Sequence, residues 1–141
     1  MTRAMGLDVG RKTIGVAVSD PLGIFAQPVE TIARKGTKKD LARVAEIVSA
    51  REVDTIVVGL PVRTDGSEGE SAKLARGVAE RIPELVEGVR VVLQDERFTT
   101  KQAERVLIEG RVRRKKRKAV IDQMAAVLIL QGYLDSASRG G

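Results

Sequence analysis

Ile14, Val16 and Val18 alternate with Thr13, Gly15 and Ala17, the period-two pattern of a half-buried strand. With the strand-like residues before Gly10 and Arg11, this predicts two antiparallel strands, 3–10 and 12–19. The turn formers Asp20-Pro21 and Leu22-Gly23 follow, and a third extended piece near 27–34 completes a meander. The period then changes. Leu41, Val44, Ala45 and Val48 recur at helical spacing, and DTIVVGL at 54–60 is a continuous apolar run bounded by Pro61, so a helix leads into a buried strand. GLPVRTDGSEG at 59–69 is a loop rich in turn formers. In it Ser67 and Glu70 have the spacing of a capping box for a helix running toward Pro83. VRVVLQDE at 89–96 predicts another strand, and Thr99 with Gln102 a second capping box for a helix over 99–109. The last helix, 119–136, is apolar nearly all round, which predicts packing on several sides.

The sum is a single α/β domain over 1–141 with a mixed, roughly five-stranded sheet, antiparallel meander first and helices flanking it. A dinucleotide-binding reading fails, because Gly6, Gly10 and Gly15 surround a hairpin and not a strand-to-helix turn.

Composition narrows the chemistry by two absences. The chain has no Cys and no His, which excludes disulfides, thiolate zinc sites, cysteine nucleophiles and imidazole general bases. Hydrolytic chemistry would have to run on carboxylates, Lys or metal-bound water. Residues 1–10 lack the basic start and apolar stretch of a signal peptide. The apolar segment 119–134 is interrupted by Asp122, Gln123 and Gln131 and is short for a membrane span. The expectation is a soluble cytoplasmic protein with no membrane partner.

The net charge of +6 has one source: RVRRKKRK at 111–118 holds seven cations, leaving the remainder at −1. Such a run is either a solvated loop or a grip on a phosphate backbone. Phe25, Phe98 and Tyr133 are the only aromatics, too few for an extended base-stacking platform.

Three carboxylates stand where a solvated charge is not the default. Asp8 lies inside the first strand, Glu96 ends the strand 89–96, and Asp122 opens the most apolar helix. Asp122 alone could simply complement a helix dipole. Together the three could hold two divalent cations about 4 Å apart, which would activate a water and steady the leaving oxygen of a phosphodiester without imidazole. Mg²⁺ or Mn²⁺ suits an all-oxygen donor set. Alternation puts Asp95 and Glu96 on opposite faces of the sheet, and periodicity alone leaves open which one joins Asp8. Gly6 and Gly10, two residues either side of Asp8, are expected to leave room for metal and phosphate.

GLDVGRKTIGVAVSD, GLPVRTDGSEG, DERFTTKQA and VIDQMAAVLILQGYL, in this order, closely resemble the YqgF/RuvX family. Its members are described as candidate pre-16S rRNA nucleases and as Holliday-junction-resolvase-like proteins. The likeness runs from about Gly6 to Leu134, with small departures at Thr13, where a basic residue is commoner, and at Phe98, where an aliphatic one is. It implies an RNase H-like fold and a catalytic, metal-binding set of Asp8, Glu96 and Asp122, with Asp95 on the other face. The implied activity is metal-dependent hydrolysis of RNA in processing the 5′ end of precursor 16S rRNA. Phosphate contacts are expected from Arg11 and Lys12 at the hairpin turn, from Arg97, and from Arg113, Arg114, Lys115 and Lys116 just ahead of the helix carrying Asp122. Two other readings share these residues: a resolvase of four-way DNA junctions, which would need a two-fold homodimer where the first reading allows a monomer, and a non-catalytic RNA-binding or transcription-associated factor. The opening motif also resembles the first phosphate loop of actin-like ATPases and sugar kinases, but those close two such domains around a nucleotide and this chain supplies one.

Overall fold

The computed structural model describes the backbone over residues 3–96 and 114–140 and the side chains over 3–96 and 123–137. The chain runs β1 (Arg3–Val9), β2 (Thr13–Ser19), β3 (Ala26–Ala33), α1 (Thr37–Arg51), β4 (Val53–Leu60), α2 (Glu70–Leu85), β5 (Arg90–Asp95) and α3 (Arg114–Gly140). The five strands form one sheet in the order β3-β2-β1-β4-β5. The meander β1–β2–β3 is antiparallel, whereas β1, β4 and β5 are parallel and joined by helices. Mixed pairing of this kind follows from the sequence: short connections of three and six residues between the first strands, then helix-length crossovers.

Alternation along each strand divides the apolar residues between two cores. Met5, Leu7, Ile14, Val16, Ile56 and Val58 face α1 and α2, where Leu41, Val44, Ala75 and Ile82 meet them. Ala4, Ala17 and Val57 face α3 and meet Ala126, Ile129, Leu130 and Leu134. The second face is built from small residues, and that lets α3 approach closely. A Cβ on Gly6 would stand 2.8 Å from both the Ala126 carbonyl oxygen and Leu130 Cβ. The space above Gly6 therefore belongs to helix α3, and the expected opening for metal and phosphate is not found there.

The β2–β3 turn is fixed by Asp20, whose Oδ1 accepts from the backbone N–H of Ile24 at 2.7 Å and of Phe25 at 2.9 Å. These bonds hold its carboxyl below the usual range. Gln131 of α3 reaches the same turn, accepting from Ala26 N and donating to Ile24 O.

Three local expectations change. Ser67 does not cap α2, whose N-cap is Gly69 with no side-chain bond. The loop closes on itself instead: Ser67 bonds Asp65 through both its hydroxyl and its N–H, and Gly66 takes φ 90°. The α3 helix begins at Arg114, so residues 114–118 of the predicted basic loop are helical, as the good helix propensity of Arg and Lys allows. Asp122 consequently sits in the third turn of α3 and not the first. Arg97, Arg113 and the predicted helix 99–109 lie outside the described residues.

Candidate active site

Asp8 is half-buried and pairs across the hairpin with Gly15. It shares its face of β1 with Ala4 and Gly6, so it belongs to the α3 side of the sheet. One step beyond the last β1–β4 ladder pair, Leu7 with Val58, Asp8 comes level with Gly59. Gly59 in turn pairs with Gln94 of β5. Glu96 follows β5 by one residue, is half-buried, and turns over Gly59: a Cβ built there would stand 3.2 Å from Glu96 Cδ. Asp8 and Glu96 thus flank the carboxyl end of β4 on one face. Asp95 has the opposite parity and belongs to the α1/α2 side. Both Asp8 and Glu96 are engaged in interactions within the protein.

Gly59 makes this arrangement possible, and the sequence reading overlooked it. The same hypothetical Cβ would lie 2.3 Å from Ile129 Cδ1 and 2.9 Å from its Cγ1. Ile129 is fully buried. Any side chain at position 59 would push α3 outward and the Glu96 carboxylate aside. A glycine interrupting an otherwise apolar strand is the signal that could have found it.

Helix α3 supplies the third element. Positions 122, 126 and 129 lie on one stripe at helical spacing, and Ala126 and Ile129 meet Gly6 and Gly59. Going from Gly6 to Asp8 advances about 6.7 Å along the strand, and going back from Ala126 to position 122 retreats about 6 Å along the helix. Because α3 runs against β1, with Leu134 packed in the same cluster as Ala4, the backbone of position 122 arrives at the level of Asp8. Three carboxylate-bearing positions from the first strand, the last strand end and the last helix share one end of one face.

A brace holds the hairpin from the other side. Arg34 donates to the Gly10 carbonyl at 3.1 Å, to Thr37 Oγ1 at 3.2 Å and, through Nε, to Asp40 Oδ2 at 3.1 Å. Its backbone N–H bonds the Lys12 carbonyl. Asp40 is buried, at 2% exposure, and also accepts from Lys35 N. The turn that follows Asp8 is therefore tied to the start of α1. Of the predicted phosphate contacts, Arg11 and Lys12 are exposed on this turn, with Arg11 paired to Glu70. Arg114, Lys115 and Lys116 fall in the first turn of α3.

The donor chemistry fits a hard divalent cation, since Asp8 and Glu96 offer carboxylate oxygens on one face at the end of β4 and the chain has no imidazole or thiolate to compete. Among the described residues no group of three acidic side chains is close enough to hold a metal ion, so a complete cradle would require the carboxylate of residue 122.

Comparison with known proteins follows the same outline. The model of the RuvX family, described as Holliday junction resolvase, matches residues 2–136. A relative from Myxococcus xanthus is 51% identical over 95% of this chain and 88% of its own length. One from Listeria innocua is 52% identical over 96% and 99%. Both are named as candidate pre-16S rRNA nucleases. Among solved structures, Thermus thermophilus RuvC bound to a Holliday junction substrate superposes with a TM-score of 0.62 at 16% identity, over 99% of this chain and 97% of that one. The fowlpox virus resolvase bound to junction DNA gives 0.54 at 14% identity, over 96% and 99%. At such identities these structures speak for the RNase H-like fold alone.

Proposed function

Because the chain belongs to the RuvX family, we propose that it is a metal-dependent nuclease that hydrolyses phosphodiester bonds while trimming the 5′ end of precursor 16S rRNA in the cytoplasm. What supports this reading is that Asp8 and Glu96 flank Gly59 on one face of the sheet, at the level reached by position 122 of α3. Asp8, Glu96 and Asp122 would hold Mg²⁺ or Mn²⁺, which when bound activates a water and neutralises the leaving oxygen. The protein's own part is positional. The sheet fixes Asp8 through its ladder with β2, Gly59 lets Glu96 fold inward, and the small-residue face seats α3. Arg11 and Lys12, with Arg114, Lys115 and Lys116, would orient the substrate through its phosphates. With few aromatics, recognition would follow backbone and shape more than base identity.

Cleavage of precursor rRNA by the wild type and by Asp8→Asn, each with Mg²⁺, Mn²⁺ or chelator, tests the reading. The wild type should cut only with metal, and Asp8→Asn should lose the activity while still binding RNA. Equal cutting by both proteins, or indifference to chelator, defeats it. The description of the matching family model supplies the second reading, and a four-way DNA junction belongs in the same assay: symmetric cutting of junctions with no action on RNA would replace the rRNA assignment by resolution. Salt-sensitive RNA binding without cleavage under any metal would indicate a non-catalytic factor.

A further inference from the structure

The opposite side of the sheet carries two adjoining cavities. One, of about 690 Å³, begins at Pro61, immediately after the strand that bears Gly59, and is lined by Arg11, Arg63, Gly69 and Glu70. The other, of about 560 Å³, continues between α1 and α2 and is lined by Arg11, Arg34, Lys73, Leu74, Val78 and Arg81. Arg11 and Glu70 line both, so the two form one groove running from the end of the sheet that holds Asp8 and Glu96 onto the α1/α2 face. Its floor is apolar and unobstructed. The half-buried Leu74 lies there with the buried Val78 beneath it, and a Cβ on Gly77 would meet nothing within 4 Å. Its rim is cationic: Arg11, Arg63, Lys73 and Arg81 are all exposed, against one lining carboxylate, Glu70. Arg34 is committed to Asp40, Gly10 and Thr37, and Arg81 is shared with Glu84 at 3.1 Å. The Lys73 ammonium makes no ion pair among the described residues.

We propose that this groove is a second nucleic-acid track, taking a single-stranded flank of the substrate with its phosphates on Arg11, Lys73 and Arg81 and its sugars over Leu74 and Gly77. Glu70 holds Arg11 in the free protein and yields it to a phosphate on binding. The Arg11–Glu70 pair is suited to that exchange: both side chains are about three-quarters exposed, at 74% and 75%, and an ion pair in that setting is held only weakly against a competing anion. A phosphate is a stronger partner for a guanidinium fork than a freely hydrated carboxylate. The hairpin turn carrying Arg11 lies three residues from Asp8 and connects the two faces, so a strand leaving the cleavage site meets Arg11 first. The inference rests on the nuclease reading for its substrate and stands apart from it in its test.

Binding of a labelled single-stranded RNA is measured in the Asp8→Asn background, where cleavage does not interfere, across a salt series, with cleavage by the otherwise wild-type protein assayed in parallel. Lys73→Gln with Arg81→Gln should weaken binding about tenfold at low salt and flatten the dependence of log affinity on log salt by about 0.7 for each phosphate no longer neutralised. Glu70→Gln should tighten binding about two- to fivefold, and Arg11→Gln should abolish that gain. The substituted side chains are exposed, and unchanged thermal unfolding confirms that the fold persists. Unaltered affinity and salt slope in Lys73→Gln/Arg81→Gln, or no tightening in Glu70→Gln, overturns the track even if the wild type cleaves RNA. Loss of binding in these variants with no cleavage by the wild type upholds the track and removes the nuclease reading.

Discussion

Placing one methyl group at position 59 tests the central geometry of the site. In Gly59→Ala the new Cβ falls 2.3 Å from Ile129 Cδ1 and 2.9 Å from Cγ1, where carbon atoms prefer about 3.5–4.0 Å. Ile129 is fully buried and has no solvent to swing into, so the helix or the strand must shift. Overpacking of this kind costs about 1–3 kcal/mol, which for a domain of this size lowers Tm by about 3–10 °C. The second contact is subtler. Glu96 Cδ would stand 3.2 Å from the methyl, and relief needs a displacement of a few tenths of an ångström. Since misplacement by 1 Å costs about a hundredfold in rate, a few tenths should lower cleavage about three- to sixfold.

Ile129→Val removes the closest atom and costs about 0.5–1.5 kcal/mol by itself. Combined with Gly59→Ala it should recover part of the stability, giving a double variant more stable than the sum of the two single effects predicts. Cleavage should stay low, because the Glu96 contact remains. Thermal unfolding of the four proteins, with single-turnover cleavage on each, separates the two effects. Additive stability losses would refute the seating of Ile129 on Gly59, and recovery of activity together with stability would refute the displacement of Glu96.

Gly6→Ala puts a methyl 2.8 Å from the Ala126 carbonyl and Leu130 Cβ; backbone cannot step aside, so α3 should lift, with Tm lowered by about 3–10 °C and faster hydrogen exchange over 123–134, and unchanged exchange there would contradict the packing. Asp40→Ala should cost about 3 kcal/mol in urea unfolding, because it leaves the Arg34 guanidinium unpaired at 14% side-chain exposure. A loss below about 1 kcal/mol would show that the brace is dispensable. Glu30, bonded by two guanidinium nitrogens of Arg43 at 2.6 and 3.0 Å, is held below the ordinary carboxylate range by that side-chain bond. A depressed folded-state value means the stabilisation is complete above the unfolded value and disappears as pH falls below about 4.3 and through the folded value. The stability gap between wild type and Glu30→Gln should thus be at most about 1 kcal/mol at neutral pH and narrow steadily once the pH falls below about 4.3; a gap that does not narrow in acid would contradict the assignment.

Most of the fold was legible because the chain changes period cleanly. Thr13 to Ser19 alternates, Leu41 to Val48 repeats every three or four residues, and both settle as expected. The acidic residues stood out because an aspartate inside an apolar strand has few structural reasons to be there. What stayed hidden depends on partners distant in sequence. Gly59 interrupts an apolar strand, but its purpose shows only once Ile129, seventy residues later, occupies the space its side chain would need. Ser67 and Glu70 match a capping box in spacing, yet Asp65, closer to Ser67, captures the hydroxyl first. Gly6 reads as an opening beside Asp8 and is in fact the seat of a helix. The role of Arg34 could not be read from its neighbours, because it bonds the Gly10 carbonyl, an acceptor no residue code reveals.

The two cores are unequal, and this divides the molecule into units that need not open together. Among the described residues most of the large buried side chains join the sheet to α1 and α2, whereas α3 sets Ile129, Leu130 and Leu134 on Ala4, Ala17 and Val57. Detachment of α3 would expose Ala126, Ile129, Leu130 and Leu134 while leaving the core between the sheet and α1/α2 in place, an opening distinct from global unfolding. In the proposed site one carboxylate rides on that helix and two on the sheet. A divalent ion joining them would act as a clasp, so activity on heating should fade before the sheet melts, and added metal should delay the first event more than the second.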